Sequence, residues 1–180
     1  MMVSEVIRMQ DEVFMDAALE LAKQAAAEGE VPVGCVIVRN GQIVGRGRNR
    51  RETEKTALGH GEIEAIADAC RNLGGWRLWD CTLYVTLEPC PMCTGAIINS
   101  RLAKVTFGAY DLKSGSMGSV INLCDLPYNS KPEIVGGFMQ EECASPLSEF
   151  FGALRVRKSE EKKRRKEEQE ECICISDRTQ

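Results

Sequence analysis

The chain contains one histidine in 180 residues, and it stands in "LGHGEIEAIADAC", residues 58–70. Loop-like residues precede His60, a helical pattern follows it, and Glu62 comes two places on. A second stretch, "EPCPMCTGAIINS", sets Cys90 and Cys93 three apart, again just before a helical pattern. Between the two lies "CTLYVTL", β-branched and aromatic, which reads as a strand. Helix, strand, helix in that order suits a sheet whose covering helices bring their ends together at one edge. The spacing therefore predicts two helix N-termini aimed at one spot. One carries an imidazole and the other carries two thiols.

The rest of the chain fits the same architecture. "DEVFMDAALELAKQAAAEGE" predicts a helix with Phe14, Ala17, Ala18, Leu21, Ala22 and Ala25 along one stripe, stopped near Gly29. "VPVGCVIVRNGQIVGRGRN" predicts two strands joined at Asn40-Gly41, a favoured hairpin turn. "RRETEKTALG" reads as a loop and "GGWRLWD" as a connection. "AKVTFGA" predicts a strand, "YDLKSGSMGS" a loop or broken helix, and "EIVGGFM" a short strand. "QEECASPLSEFFGALRVRK" predicts a closing helix to Arg157, with Pro146 near its first turns or kinking it. No internal repeat is present. The alternation predicts an α/β fold with a mostly parallel sheet flanked by helices, occupying residues 1–157. Residues 158–180 form a charged C-terminal tail, either a solvated helical extension or disorder.

Composition narrows the setting. No run of about 18 apolar residues exists, so no membrane-spanning helix is expected. The first residues have early acids and no signal-peptide apolar core, so the expected location is cytoplasmic. Nine cysteines at irregular spacing argue against a disulfide framework. Cys35 and Cys81 read as buried small apolar residues. The formal charge is −4, and an acidic body does not advertise nucleic-acid binding; local patches would have to supply it.

One imidazole and two thiolates suit zinc and leave a fourth tetrahedral position for water. Helix N-termini favour negative charge and help keep both thiols deprotonated. Glu62 is too near His60 in sequence to be an easy fourth ligand, and is well placed to accept a proton from water. Two blander readings stand beside this one. The site could be structural, with a fourth ligand from Cys70, Cys81 or Cys124, and Glu62 could be a charge partner for its helix end.

The pattern H-x-E…P-C-x-x-C is the signature of zinc nucleobase deaminases. The chain resembles the bacterial tRNA-specific adenosine deaminase family through "EVPVGCVIV", "GRNR", "HGEIEAI", "LYVTLEPCPMCTGAII", "VTFGAYDLKSGSMGS" and "EECASPLSEFF". The resemblance implies a cytidine deaminase-like three-layer α/β/α fold around a mixed five-stranded sheet. It implies one Zn²⁺ per subunit, held by His60, Cys90 and Cys93. It implies hydrolysis of the wobble adenosine of a tRNA anticodon to inosine. Water would attack C6 while Glu62 carries its proton to N1 and then assists departure of ammonia. It also implies a homodimer acting on the anticodon stem-loop. The alternative is a deaminase of free nucleobases or nucleosides, of guanine or cytosine type, on the same scaffold.

The resemblance further implies substrate contacts at Asn49, Gly61, Pro89, Asp111, Lys113 and Phe151. Asn49 would meet the ribose or base, and Asp111 and Lys113 the flanking nucleotides. Phe151 and Arg155 would border the same anticodon loop from the closing helix. Arg46, Arg48, Arg50 and Arg51 are candidates for phosphates, against the plainer reading of a solvated hairpin end. Trp76 and Trp79 read as core or interface residues before base platforms. Two positions depart from the family. Gly61 replaces the usual alanine, which could widen the pocket or be neutral. Tyr110 replaces a basic residue, which removes a phosphate partner and adds a stacking surface.

Overall fold

The computed structural model describes the backbone of residues 2–177 and the side chains of residues 8–165. The elements run α1 (Met2–Ala27), β1 (Gly34–Arg39), β2 (Gln42–Arg48), α2 (Gly61–Leu73) and β3 (Cys81–Leu87). Then follow α3 (Pro91–Asn99), β4 (Lys104–Ala109), a short 3₁₀ turn at Leu123–Asp125, β5 (Glu133–Val135) and α4 (Gln140–Asp177). The sheet order is β2-β1-β3-β4-β5. β1 pairs antiparallel with both β2 and β3, while β3–β4 and β4–β5 are parallel. The sheet is therefore the mixed five-stranded one that the resemblance implies, half antiparallel by its strand pairs, and the mostly parallel sheet expected from the strand–helix alternation is corrected. The hairpin sets the β1–β2 pair. Asn40 and Gly41 take φ of 52° and 73°, the left-handed pair of a tight turn that reverses the chain at once.

Helices cover both faces. Gly34 of β1 lies against α1 at Ala18, Leu21 and Ala22, and Gly108 of β4 lies against Cys143 at the start of α4. On the other face Gly45 and Gly47 of β2 lie against Ala65 and Ala69 of α2, and α3 packs beside α2. Fully buried Ile37, Leu83, Val85, Val105 and Ile97 fill the space between sheet and helices. The result is three layers, α/β/α.

The close approach at Gly47 fixes where α2 begins. A methyl added there would overlap the carbonyl oxygen of Gly61 and stand 2.5 Å from the Ala65 nitrogen. Backbone atoms cannot swing aside, so α2 would have to lift from the sheet. Gly47→Ala is expected to destabilise the fold by about 1–3 kcal/mol, the usual effect of overpacking. A urea denaturation midpoint equal to that of the unaltered protein would show that this contact has slack.

Three element boundaries differ from expectation. α1 starts at Met2, well before the predicted stripe. β5 spans only Glu133–Val135, because Gly137 and Met139 turn the backbone to positive φ. α4 continues past Arg157 to Asp177, and Pro146 is carried inside it. The chain falls into two compact units, one up to Leu147 and one from Ser148 onward. The second is the remainder of α4, with side chains of residues 158–165 all exposed. Among the described residues no helix is long and apolar enough to cross a membrane. Cys35, Cys81, Cys124 and Cys143 are free and buried, as small apolar side chains.

Candidate active site and metal centre

His60 and Cys90 occupy equivalent places, each the residue just before the first turn of its helix, in extended conformation and without a side-chain cap. Cys93 follows one turn into α3, behind Pro91, whose fixed φ suits a first helical position. β3 feeds α3, and β2 holds the start of α2, so both N-termini reach one edge of the sheet. His60 Nδ1 lies 3.5 Å from Cys93 Sγ and 3.8 Å from Cys90 Sγ, and the three ligand atoms all fall within 4.8 Å of one another.

These separations test the fit to zinc. Tetrahedral bonds of about 2.0 Å to nitrogen and 2.3 Å to sulfur set the two donors about 3.5 Å apart. The observed spacings match. The donor set is that of a catalytic zinc centre, three protein ligands and one free position. Among the described residues no fourth His, Cys, Asp or Glu joins the cluster. Cys70, Cys81 and Cys124 stay outside it, so the structural-zinc alternative lacks its fourth ligand.

The thiols behave as a coupled pair. A hydrogen bond with Cys93 lowers Cys90 to about 4, against burial and with help from His60. The same bond, then burial and the Glu62 charge, raises Cys93. Together the sulfurs retain one proton, which a metal cation displaces. Two helix N-termini reinforce that exchange.

Glu62 is the second residue of α2 and only 4% exposed. Burial pushes its carboxyl above the usual carboxylate range, while its own N–H and the His60 charge pull the other way. Its side chain reaches Cys93. A buried carboxyl with a raised pKa beside an open metal position is what a proton shuttle requires. Cys35 is buried on β1 within reach of its charge, the thiol raised by burial and then by Glu62, so it stays protonated.

The remaining candidates divide. Asn49 directly follows β2 and is buried, its N–H on the Val33 carbonyl at 3.0 Å. The next N–H, of Arg50, bonds the Gly59 carbonyl at 2.8 Å, which seats Asn49 beside the His60 entrance. Pro89 is buried, and its carbonyl accepts from Ser116 N–H at 2.9 Å. Gly61 needs a correction. A methyl there would point at the Arg48 Cα, 3.3 Å away, and the Gly47 oxygen. The missing methyl therefore faces the β2 backbone, and pocket widening does not follow from it.

Asp111 and Lys113 lie in the loop after β4. The Asp111 carboxylate accepts from Lys113 N–H at 2.9 Å, Ser114 N–H and the Ser114 hydroxyl. It shapes the loop and leaves Lys113 exposed at the turn. Phe151 belongs to the second unit, where it meets Phe150 edge to face. Of the four arginines, Arg48 clasps Glu28 through two bonds and Arg50 pairs with Glu54. Arg46 and Arg51 are exposed, and although the Arg46 backbone N–H donates to the Asp68 carboxylate at 3.0 Å, neither guanidinium forms an ion pair with an acid among the described residues. Trp76 and Trp79 are 51% and 60% exposed, with Arg77 stacked 4.0 Å over the first, so the core reading is corrected. Tyr110 meets Phe107 edge to face.

Two buried carboxylates escaped the sequence reading. Glu88, two places before Cys90, is 2% exposed. It accepts from Asp111 N–H, Met117 N–H, Ser119 N–H and the Ser119 hydroxyl. It is the internal anchor of the loop carrying Asp111 and Lys113. Its signal was a lone acid between a buried strand and the Pro89 turn. Glu88→Ala strands three backbone donors, and is expected to cost about 3 kcal/mol. Limited proteolysis should then cut within residues 111–119. Resistance equal to that of the unaltered protein would remove Glu88 as the anchor. The other carboxylate is Glu30.

The fold and the site define a class, zinc-dependent hydrolytic deaminases of nucleobases. Residues 8–109 match the family model of the cytidine and deoxycytidylate deaminase zinc-binding region. A tRNA-specific adenosine deaminase of Bacillus subtilis (strain 168) is 50% identical over 150 residues, 83% of this chain and 93% of the relative. The chain belongs to the tRNA-specific adenosine deaminase family. A solved structure from work on A-to-I editing by tRNA:A34 deaminases superposes with a TM-score of 0.74 and 37% identity. It covers 76% of this chain and 99% of the other. The guanine deaminase of Bacillus subtilis superposes with a TM-score of 0.54 and 41% identity, over 55% of this chain and 64% of that one.

Proposed function

We propose that this protein hydrolyses adenosine to inosine at the wobble position of a tRNA anticodon. The observation that carries the chemistry is the open His60–Cys90–Cys93 trio with Glu62 buried beside it. The similarity to tRNA-specific adenosine deaminases over 83% of the chain supports the substrate. When bound, zinc supplies the Lewis acidity that makes water a nucleophile at neutral pH. His60, Cys90 and Cys93 hold the ion. Glu62 takes a proton from water as the water oxygen bonds to C6, and delivers that proton to N1. Glu62 then moves the second proton to the exocyclic nitrogen, the C6–N bond breaks, and ammonia leaves.

Asn49, Gly61 and Pro89 border the base in this reading, while Asp111, Lys113 and Phe151 serve the flanking nucleotides. Arg46 and Arg51 are the arginines free to meet phosphate, so binding should weaken with added salt. The deaminase domain spans 1–157, and 158–180 is a charged tail. The location is cytoplasmic and the assembly a homodimer. An apolar hollow lined by Ile66, Cys70, Trp76 and Ala96 between α2 and α3 supports self-association. A monomeric mass by sedimentation at micromolar concentration would refute the dimer.

The competing reading is a free-base deaminase, favoured by the guanine deaminase likeness. A substrate panel read by product mass separates the two. It sets an anticodon stem-loop with a wobble adenosine against free guanine, cytosine and adenosine. Turnover of the stem-loop is expected. Turnover of a small molecule without the RNA would overturn the proposal.

A further inference from the structure

Glu30 has no exposed surface, yet it belongs to neither the metal trio nor the proton path. Burial pushes its carboxyl up, but hydrogen bonds from Thr53 outweigh this and keep it below the usual range. It is therefore an ionised carboxylate inside the protein. One oxygen accepts from the Thr53 N–H and hydroxyl, both at 2.7 Å. The other accepts from Asn49 Nδ2 at 3.0 Å.

A carboxylate has no proton to give, so it can face only the amine end of the Asn49 amide. That settles which way the amide points. The carbonyl oxygen is turned away from Glu30, and no protein donor reaches it among the described residues. Asn49 sits beside the strand-to-helix contact that carries His60 and Glu62. We infer that Glu30 is a positioning residue: it holds Asn49 with its carbonyl oxygen toward the substrate, so that the target nucleotide is read there through a hydrogen-bond donor, a ribose hydroxyl or a ring amine. The inference rests on the wobble-adenosine reading for the identity of the substrate.

Glu30→Gln tests it. Glutamine keeps the shape and can still accept from Thr53, but it offers Asn49 an amine. Asn49 must then turn its oxygen inward and present a donor where an acceptor stood. Stem-loop kcat/KM is expected to fall by about tenfold or more, the effect of one reversed hydrogen bond in a closed site. Zinc content and Tm should stay near those of the unaltered protein. The pair Glu30→Gln with Asn49→Asp restores the pattern, because the new carboxylate accepts from the new amide and presents its second oxygen outward. It should recover most of the lost kcat/KM, whereas Asn49→Asp alone opposes two carboxylates and should be worse than either.

A merely structural Glu30 would make the pair no better than the single variant. That outcome, or unaltered kcat/KM in Glu30→Gln, overturns the inference. Should the variants fail to fold, the unaltered enzyme still decides. Its Asn49 side-chain amide protons should exchange slowly and show scalar coupling to the Glu30 carboxylate carbon, and fast exchange without coupling overturns the orientation. If the unaltered enzyme turns over no stem-loop, the functional reading fails instead, and the amide coupling reports on Glu30 independently.

Discussion

Glu62→Gln is expected to leave a folded, zinc-loaded protein that deaminates about a thousandfold more slowly, within the range that general acid–base groups contribute. The substitution keeps the side chain's shape in a buried place, so packing should survive. What it removes is the exchangeable proton site. The reaction needs two protons moved from water to the base, and among the described residues Glu62 is the acid that reaches the metal trio. Glutamine can still hydrogen-bond there, so substrate binding should change far less than kcat. Product mass on the anticodon stem-loop gives the rate, and elemental analysis gives the zinc. Turnover equal to that of the unaltered enzyme would remove Glu62 as the proton carrier.

The metal should matter for stability as well as chemistry. Ligand present at about a thousand times its Kd stabilises the folded state by about 4 kcal/mol. In a chain of this size each kcal/mol moves Tm by about 2–4 °C, so stripping zinc with a chelator should lower Tm by about 10 °C and stop turnover. Adding zinc back should restore both. Cys93→Ser should reproduce the loss permanently, because the hydroxyl is a far poorer ligand than a thiolate and the side chain has no exposed surface. Cys90 would then lose the hydrogen bond that lowers it most. Full zinc occupancy and an unmoved Tm in Cys93→Ser would take that sulfur out of the ligand set.

Some of this molecule is legible without coordinates because it rests on local chemistry. His60-x-Glu62 and Cys90-x-x-Cys93 each carry their spacing within one helical turn, so the backbone hands both partners to the same place. Asn40-Gly41 fixes a hairpin, and with it the antiparallel β1–β2 pair, by its own dihedral preferences; the second antiparallel pair, β1 with β3, is set only by where the chain returns to the sheet. Alternating apolar segments announce strands and helices because burial demands the matching period. The charged run after Arg157 was ambiguous for the opposite reason. Its side chains are exposed as far as residue 165, and solvated charge leaves no pattern that separates helix from coil.

Other features depend on groups far apart in the chain. Glu30 and Asn49 are nineteen residues apart, and Glu88 meets Ser119 thirty-one residues on. A glutamate in sequence reads as surface, since charge belongs in water unless enough donors surround it. Only the fold supplies those donors. The same holds for the arginines, which look alike in "GRGRNRR" and are divided by whether Glu28 or Glu54 lies within reach. The direction of the missing methyl at Gly61 is likewise set by how close β2 comes to α2. Sequence alone pointed to the metal and to the groups proposed to react there, because bond chemistry is carried by residue type and short spacing. Tertiary structure alone decided which polar atoms remain free to meet a substrate, because that depends on what the protein has already bonded to itself.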